Sequence, residues 1–448
     1  MVLFSIMKEI AEGPRALKNI FWRNLSMKKI LALALVAVMA LALVACGGTA
    51  VETTAPAAVD APATDAPATD APVANAYADV KFGLICLHDE NSTYDLNFIN
   101  AMKEAAANLG LADDQVIIVT NVPESNACYE AAVDLVDRGC NIVFANSFGH
   151  ESYVLQAAKE FPEVEFCHAT GTMAHTENVA NFHNAFASIY EGRFLAGVAA
   201  GMKLNEMIEA GKITAEQAVM GYVGAFTYAE VISGYTSFYL GAKSVCPSVT
   251  MKVQFTGSWY DEAAEKEAAT NLIAQGCALI SQHADSMGAP TACETAGIPN
   301  VSYNGSTVAA CPNTFIVSSR INWAPYYEFV VNAVVNGETI PADWTGNIET
   351  GSVMLTDVNT QAAAAGTVEA IADVKAKLVA GELDVFATAT FTKDGAEMTT
   401  YMADVDTDAA YTGDTEVIVD GAFQESKFRS APYFDVSIDG IELLNSAF

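Results

Sequence analysis

Residues 116–147 read VIIVTNVPESNACYEAAVDLVDRGCNIVFANS, and residues 253–284 read VQFTGSWYDEAAEKEAATNLIAQGCALISQHA. The two stretches align without a gap. Glu130-Ala131-Ala132 falls on Glu267-Ala268-Ala269, Leu135 on Leu272, and Gly139-Cys140 on Gly276-Cys277. Each copy is an apolar run, a helical pattern and a second apolar run. Each glycine stands where the helix ends and the next strand begins, the usual place for a left-handed C-cap. One strand-helix-strand unit used twice predicts two similar α/β lobes.

Working outward, the pattern from Lys81 predicts strands at 81–87, 115–120, 141–146, 164–168 and 179–184. Helices are predicted at 97–109, 125–137 and 150–160. Strands and helices in alternation imply parallel, doubly wound sheets. Ligands of open α/β sheets bind beyond the carboxyl ends of the strands. The turns after equivalent strands are therefore expected to face each other across a cleft. One lobe offers Asn146, Ser147 and Phe148, the other His283, Ala284, Asp285 and Ser286. Trp259-Tyr260-Asp261 joins them at the turn after a strand predicted over 251–256.

Ser147 also raises a rival reading, because α/β-hydrolases present a nucleophilic serine on such a turn. Their strained elbow needs glycine two residues before the serine, and Ala145 stands there. Ser147 is read instead as a hydrogen-bonding group of the cleft, and no enzymatic activity is expected.

The 448 residues carry 22 Lys+Arg against 54 Asp+Glu, a net charge of −32. Nucleic-acid phosphates would be repelled at every approach, so a nucleic-acid partner is excluded. Nine cysteines form no CxxC pair and no zinc spacing with histidine, so neither a metal nor a cofactor is expected. Most sit in or beside apolar runs and read as buried free thiols. Asp404-Val405-Asp406-Thr407-Asp408 has calcium-loop spacing, but Ala409 replaces the required glycine and Thr415 the bidentate glutamate.

Met27-Lys28-Lys29, the apolar run Ile30–Ala45, and Leu43-Val44-Ala45-Cys46-Gly47 together make a secretory signal over 27–45. Its end resembles a bacterial lipobox, in which Cys46 is lipidated and anchors the mature chain to the outer face of a membrane. Residues 1–26 have no place in such a signal, and translation is expected to start at Met27. From Cys46 to Asp79 an Ala/Pro/Thr/Asp composition predicts a flexible linker.

The region from about Lys81 to Val358 resembles the basic membrane protein (BMP) family of ABC-transporter solute-binding lipoproteins, which have the type I periplasmic-binding fold. Tyr94-Asp95-Leu96-Asn97-Phe98, Phe161-Pro162-Glu163-Val164-Glu165-Phe166, Glu191-Gly192-Arg193-Phe194-Leu195-Ala196-Gly197, Gly257-Ser258-Trp259-Tyr260-Asp261 and Gln282-His283-Ala284-Asp285-Ser286 carry the likeness. Phe144–Gly149, His168–Gly171 and Asn322–Tyr327 are similar to the purine-binding branch. The resemblance implies an α/β protein of two lobes joined by a hinge. Lobe 1 is expected over about 80–184 and 305–345, and lobe 2 over about 185–304. It implies a monomer that hands a purine base or nucleoside to an ABC permease and its ATPase. Phe98 and Trp259 match the family's stacking aromatics, and Asp95 and Asn304 its polar contacts. Asn304 replaces the aspartate of the nucleoside branch, and Ser92 stands where the base-binding branch has tryptophan. A sensor role without transport, or another heterocycle such as riboflavin, stays open.

An aromatic clamp also has a physical rationale, since base–aromatic stacking contributes about 1–3 kcal/mol per base. Tyr94, Asp95, Asn97 and Phe98 in the first loop and helix, with Asp261, His283, Asp285 and Asn304 opposite, complete the candidate ligand set. Asp95 and Asp261 could equally be N-caps of the helices they precede. Past a strand at 351–355, residues 359–448 are expected to form a small α+β extension with a helix at 368–378 and a hairpin over 386–402.

Overall fold

The computed structural model describes residues 76–405, 410 and 412–447. The expected signal, Cys46, the linker up to residue 75 and most of the calcium-like loop lie outside these residues. The linker's expected end, 76–79, forms a turn in which Val80 N donates to Tyr77 O at 3.1 Å.

Strands β1 (Phe82–Ile85), β2 (Val116–Val119), β3 (Ile142–Ala145), β4 (Glu165–Ala169) and β5 (Phe182–Ala187) build the first sheet. The second contains β6 (Val219–Gly224), β7 (Thr250–Phe255), β8 (Leu279–Gln282), β9 (Asn300–Tyr303) and β10 (Phe315–Ile321). Strand β11 (Asp343–Gly346) returns to the first sheet, and β12 (Val353–Leu355) to the second. The first sheet runs β11-β5-β4-β3-β1-β2, with every neighbouring pair parallel. The second runs β12-β10-β9-β8-β6-β7, and only β12 is antiparallel to its neighbour.

The internal repeat is visible in both sheets. In the first, β1 lies between β2 and β3, with Phe82 opposite Val116 and Ile142. In the second, β6 lies between β7 and β8, with Met220 opposite Met251 and Leu279. The repeated helices are α2 (Asn126–Asp137) and, later in the chain, α7 (Glu262–Ala274). Gly139 and Gly276, just past them, have φ of 85° and 88°, a conformation that only glycine adopts without strain. A Cβ at either position would meet nothing within 4 Å, so the backbone angle alone demands the glycine.

The remaining helices are α1 (Thr93–Leu109), α3 (Glu151–Glu160), α4 (Met173–Glu177), α5 (Ile189–Glu209), α6 (Ala229–Val245), α8 (Gly288–Ala296), α9 (Ala324–Asn336) and α10 (Thr367–Val379). Helices α5 and α6 pack with their backbones nearly touching. A Cβ on Gly241 would lie 2.1 Å from Phe194 O, and one on Gly197 2.1 Å from Phe238 O.

The chain crosses between the sheets three times: after β5, after β10, and between β11 and β12. The crossings are tied together. Ser188 N donates to Gly346 O at 2.8 Å and Asn322 N to Ser352 O at 2.7 Å. Ile348 N donates to Glu191 Oε2 at 2.9 Å.

Several expectations change. The division at residue 305 does not follow the sheets, because β10, parallel to β9 over Ser318–Ser319, belongs to the second. The strand expected at 179–184 begins at Phe182, since Asn178 turns the chain with φ 51°. The hairpin over 386–402 is absent. Asp394 and Gly395 do make a tight turn closed by one bridge between Lys393 and Ala396, but beyond it Ala387 pairs with Ala422 and Met402–Ala403 with Thr415–Glu416. The tail instead has two small ladders, β13 (Met402–Ala403) with β14 (Thr415–Glu416) and β15 (Ile418–Val419) with β16 (Ala422–Phe423). It ends in β17 (Ile441–Leu443), parallel to β7 on the edge of the second sheet. The eight cysteines among the described residues are buried and free, and no described helix is long and apolar enough to cross a membrane.

Candidate functional site

Between the carboxyl ends of the two sheets lies a narrow, partly enclosed space of about 370 Å³, part of which is open to solvent. The first lobe contributes Leu87, His88, Tyr94, Asp95, Ser147, Phe148 and Thr170, and the second Glu230, Trp259, His283 and Asp285. The lobes touch around its rim. Thr93 N and Oγ1 both donate to Asp285 O, at 3.0 and 3.1 Å. The Phe148 ring lies 5.2 Å from that of Tyr228, and the His88 ring 5.4 Å from that of Tyr260.

Seven of the twelve residues expected from sequence line this space. Asp95 is not a cap: Ser92 takes that position and accepts from Asp95 N, so α1 starts at Thr93 rather than 97. That frees the Asp95 carboxylate. Its Oδ1 accepts from His88 N at 3.1 Å and Asn146 Nδ2 at 2.7 Å. Its Oδ2, buried and 3.6 Å from His88 Nδ1, has no hydrogen-bond partner among the described residues. Burial pushes the group up, but the hydrogen bonds from His88, Asn146 and Ser92 outweigh it and hold the carboxyl below its usual range. Tyr94 OH donates to Asn146 O at 2.7 Å.

On the facing lobe, Asp285 is 4% exposed, and among the described residues its carboxyl accepts from Asn304 Nδ2 at 3.5 Å. Burial raises it well above the usual range, and the charges of Asp95, Glu265 and Glu230 push the same way. The turn is propped from below by Glu265, which accepts from Ser286 N and Asp261 N. Burial lifts that carboxyl to about 7. Trp259, half-buried, meets Phe226 edge-on at 4.9 Å.

Five expected residues stand elsewhere. Asn146 and Asn304 are buried behind the wall, Asn146 with both ends of its amide used, by Leu87 N and Asp95. Phe98 is a core residue, stacked on Trp323 at 4.5 Å, because its position on α1 faces the sheet. Asn97 reaches the hinge, donating to Ile321 O and accepting from Arg320 at 3.4 Å. Asp261 is exposed and caps α7, accepting from Ala264 N at 2.9 Å. Ser147 lines the space, but its hydroxyl donates to Glu124 Oε1 at 2.6 Å. The nearby His168 touches only the Ser147 carbonyl, at 2.7 Å, and burial lowers that imidazole to about 4. This is not the serine–base arrangement of a nucleophile.

Leu87, His88, Thr170 and Glu230 were missed. Leu87, His88 and Thr170 follow the ends of β1 and β4, so the rule that selected the other turns would have found them. Glu230 lies six residues past β6 in the first turn of α6, outside that rule. Among the described residues no group of three or more His, Cys, Asp or Glu could hold a metal ion.

The comparisons agree with this architecture. The family model for PnrA-like ABC-transporter substrate-binding proteins matches residues 83–388. A purine-binding protein of Brucella abortus is 30% identical over 330 residues, covering 72% of this chain and 88% of its own. A protein of Haloferax volcanii named for ABC-transporter glucose binding is 30% identical over 257 residues, 57% of this chain and 62% of its own. Among solved structures, an ABC-transporter solute-binding protein of Aeropyrum pernix superposes with TM-score 0.57 at 16% identity, over 71% of this chain and 94% of that one. At that identity the likeness speaks for the fold.

Proposed function

The chain belongs to the Bmp family of PnrA-like ABC-transporter substrate-binding proteins, and we propose that it captures a purine base or nucleoside for an importer. Proteins of this class work on the extracytoplasmic side, bind small molecules and pair with a permease and an ATPase. In this reading Cys46 carries the lipid that keeps the chain at the membrane, and the monomer closes its lobes on the ligand by bending at the three crossings.

The observation that carries the reading is the composition of the interlobe wall. Trp259, Tyr94 and Phe148 bring aromatic rings to the wall, while Asp95 Oδ2 and the Asp285 carboxyl have little or nothing to hydrogen-bond among the described residues. A flat heterocycle rich in N–H or O–H donors satisfies both. Buried acceptors left unpaired cost about 1–3 kcal/mol each, so such a ligand gains by filling them. The purine-binding relative supports the same class. A sugar is the second reading, favoured by the relative named for glucose and by the carboxylates, which also suit hydroxyls.

A thermal-shift screen against nucleobases, nucleosides, riboflavin and glucose separates these. Ligand at 100 times its Kd raises stability by about 2.7 kcal/mol. A shift with glucose and none with any purine sinks the proposal.

A further inference from the structure

Glu230 lies in the first turn of α6 and on the cavity wall. Its setting is fixed from the far side. Arg193 Nη2 lies 3.1 Å from His283 Nδ1. A guanidinium donates and never accepts, so Nδ1 is the accepting nitrogen and the proton of the neutral ring sits on Nε2. Burial, aided by the Arg193 charge, outweighs the opposing charge and hydrogen bond of Glu230 and holds the imidazole below its usual range. Nε2 then donates to Glu230 Oε1 at 3.2 Å. Glu230 Oε2 has no hydrogen-bond partner among the described residues, which leaves one oriented acceptor on the cavity wall.

We infer that Glu230 reads the hydrogen-bonding edge of the ligand, and that the cavity selects uncharged 6-oxopurines, the guanine type above all. This rests on the purine reading. A carboxylate only accepts. The guanine edge sets N1–H beside a 2-amino group, two donors for one carboxylate, and hypoxanthine keeps the N1–H. Adenine presents the N1 lone pair instead, which would face the carboxylate's own. Phosphorylated ligands are excluded for a different reason. Neither lysine nor arginine lines the cavity. The guanidinium of Arg193 is already engaged, donating to Gln282 O at 3.0 Å and to His283, with its face 3.3 Å from the centre of the Tyr303 ring. A phosphate would meet the carboxylates of Asp95 and Glu230.

The test is calorimetric titration of guanosine, inosine, adenosine and GMP into the wild-type chain and into Glu230→Gln. The glutamine carbonyl still accepts from His283, while its amide turns the other atom into a donor. The wild type is expected to bind guanosine at least roughly tenfold tighter than adenosine or GMP, with inosine between guanosine and adenosine. In Glu230→Gln guanosine should lose about tenfold or more while adenosine holds or gains, with the ligand-free melting temperature unchanged. Wild-type protein that binds adenosine as tightly as guanosine overturns the role of Glu230 and leaves the purine reading standing. So does an unaltered guanosine-to-adenosine ratio in the variant. If no purine binds and glucose or riboflavin does, both readings fall. The wild-type ranking decides the matter even should the variant fold poorly.

Discussion

Trp259 shows how one side chain can be pinned without being used up. Its backbone carbonyl accepts from Asp285 N at 3.0 Å, which couples the two turns of the second lobe. Its ring edge rests on Phe226, and it still lines the cavity. Replacing Trp259 with Ala is therefore expected to weaken purine binding by roughly 5- to 150-fold, the equivalent of about 1–3 kcal/mol of stacking. Melting of the ligand-free protein should move little, which circular dichroism would check. A loss of affinity below twofold would remove Trp259 from the stacking role. At this scale the sequence was legible where residues sit on turns after strands, as Ser147, Trp259, His283 and Asp285 do. It was opaque for Phe98, because a helix's buried face and a clamp aromatic call for the same residue type. Asp95 was ambiguous until Ser92 was seen to hold the cap.

Among the elements, the repeat was the firmest signal, because Gly139 and Gly276 mark equivalent helix ends and need nothing beyond their own backbone angles. The hairpin at 386–402 failed for the opposite reason. Alternation and an Asp-Gly turn were both present, but before the turn Phe386 stacks on Phe434 at 4.4 Å and Phe391 meets it edge-on, and after it Tyr401 packs on Phe423 at 5.3 Å, so tertiary packing takes both flanks. The meeting of α5 and α6 was equally invisible, since it depends on which glycines of two helices coincide. It yields a sharp expectation. Gly241→Ala puts a methyl 2.1 Å from Phe194 O and 3.0 Å from its Cα. The helices must separate, and a loss of about 1–3 kcal/mol is expected in urea unfolding. An unchanged midpoint would mean that the contact yields freely.

For the whole molecule, two buried glutamates, Glu265 and Glu425, and the partly buried Glu191 set a pH response. Burial is the main cause that lifts Glu191, Glu265 and Glu425 from the ordinary 4.5 to about 7. A carboxyl raised in the folded state keeps its proton while the unfolded chain has lost it. The stability so conferred is complete below about pH 4.5 and is lost as pH rises through 7. The melting temperature is thus expected to fall between pH 5 and pH 8. Glu425→Gln should flatten that fall by raising the value at pH 8 more than at pH 5, with roughly 3 kcal/mol as the ceiling for one such group. Parallel slopes for variant and wild type would exclude Glu425 as a source.

Glu425 also has a mechanical meaning. It accepts from Ser233 of α6 at 2.5 Å, while five residues on Ser430 donates through N and Oγ to Asp343 of β11, at 2.5 and 2.6 Å. One short stretch of the tail is thereby fastened to both lobes, outside the cleft. In the hinge motion proposed above, a wide gape has to strain or release one of these fastenings, so the tail is expected to limit how far the jaws part. Affinity and release rate can then drift through substitutions in a segment that the ligand never touches. Two relatives with identical cavity walls could hold the same solute for quite different times.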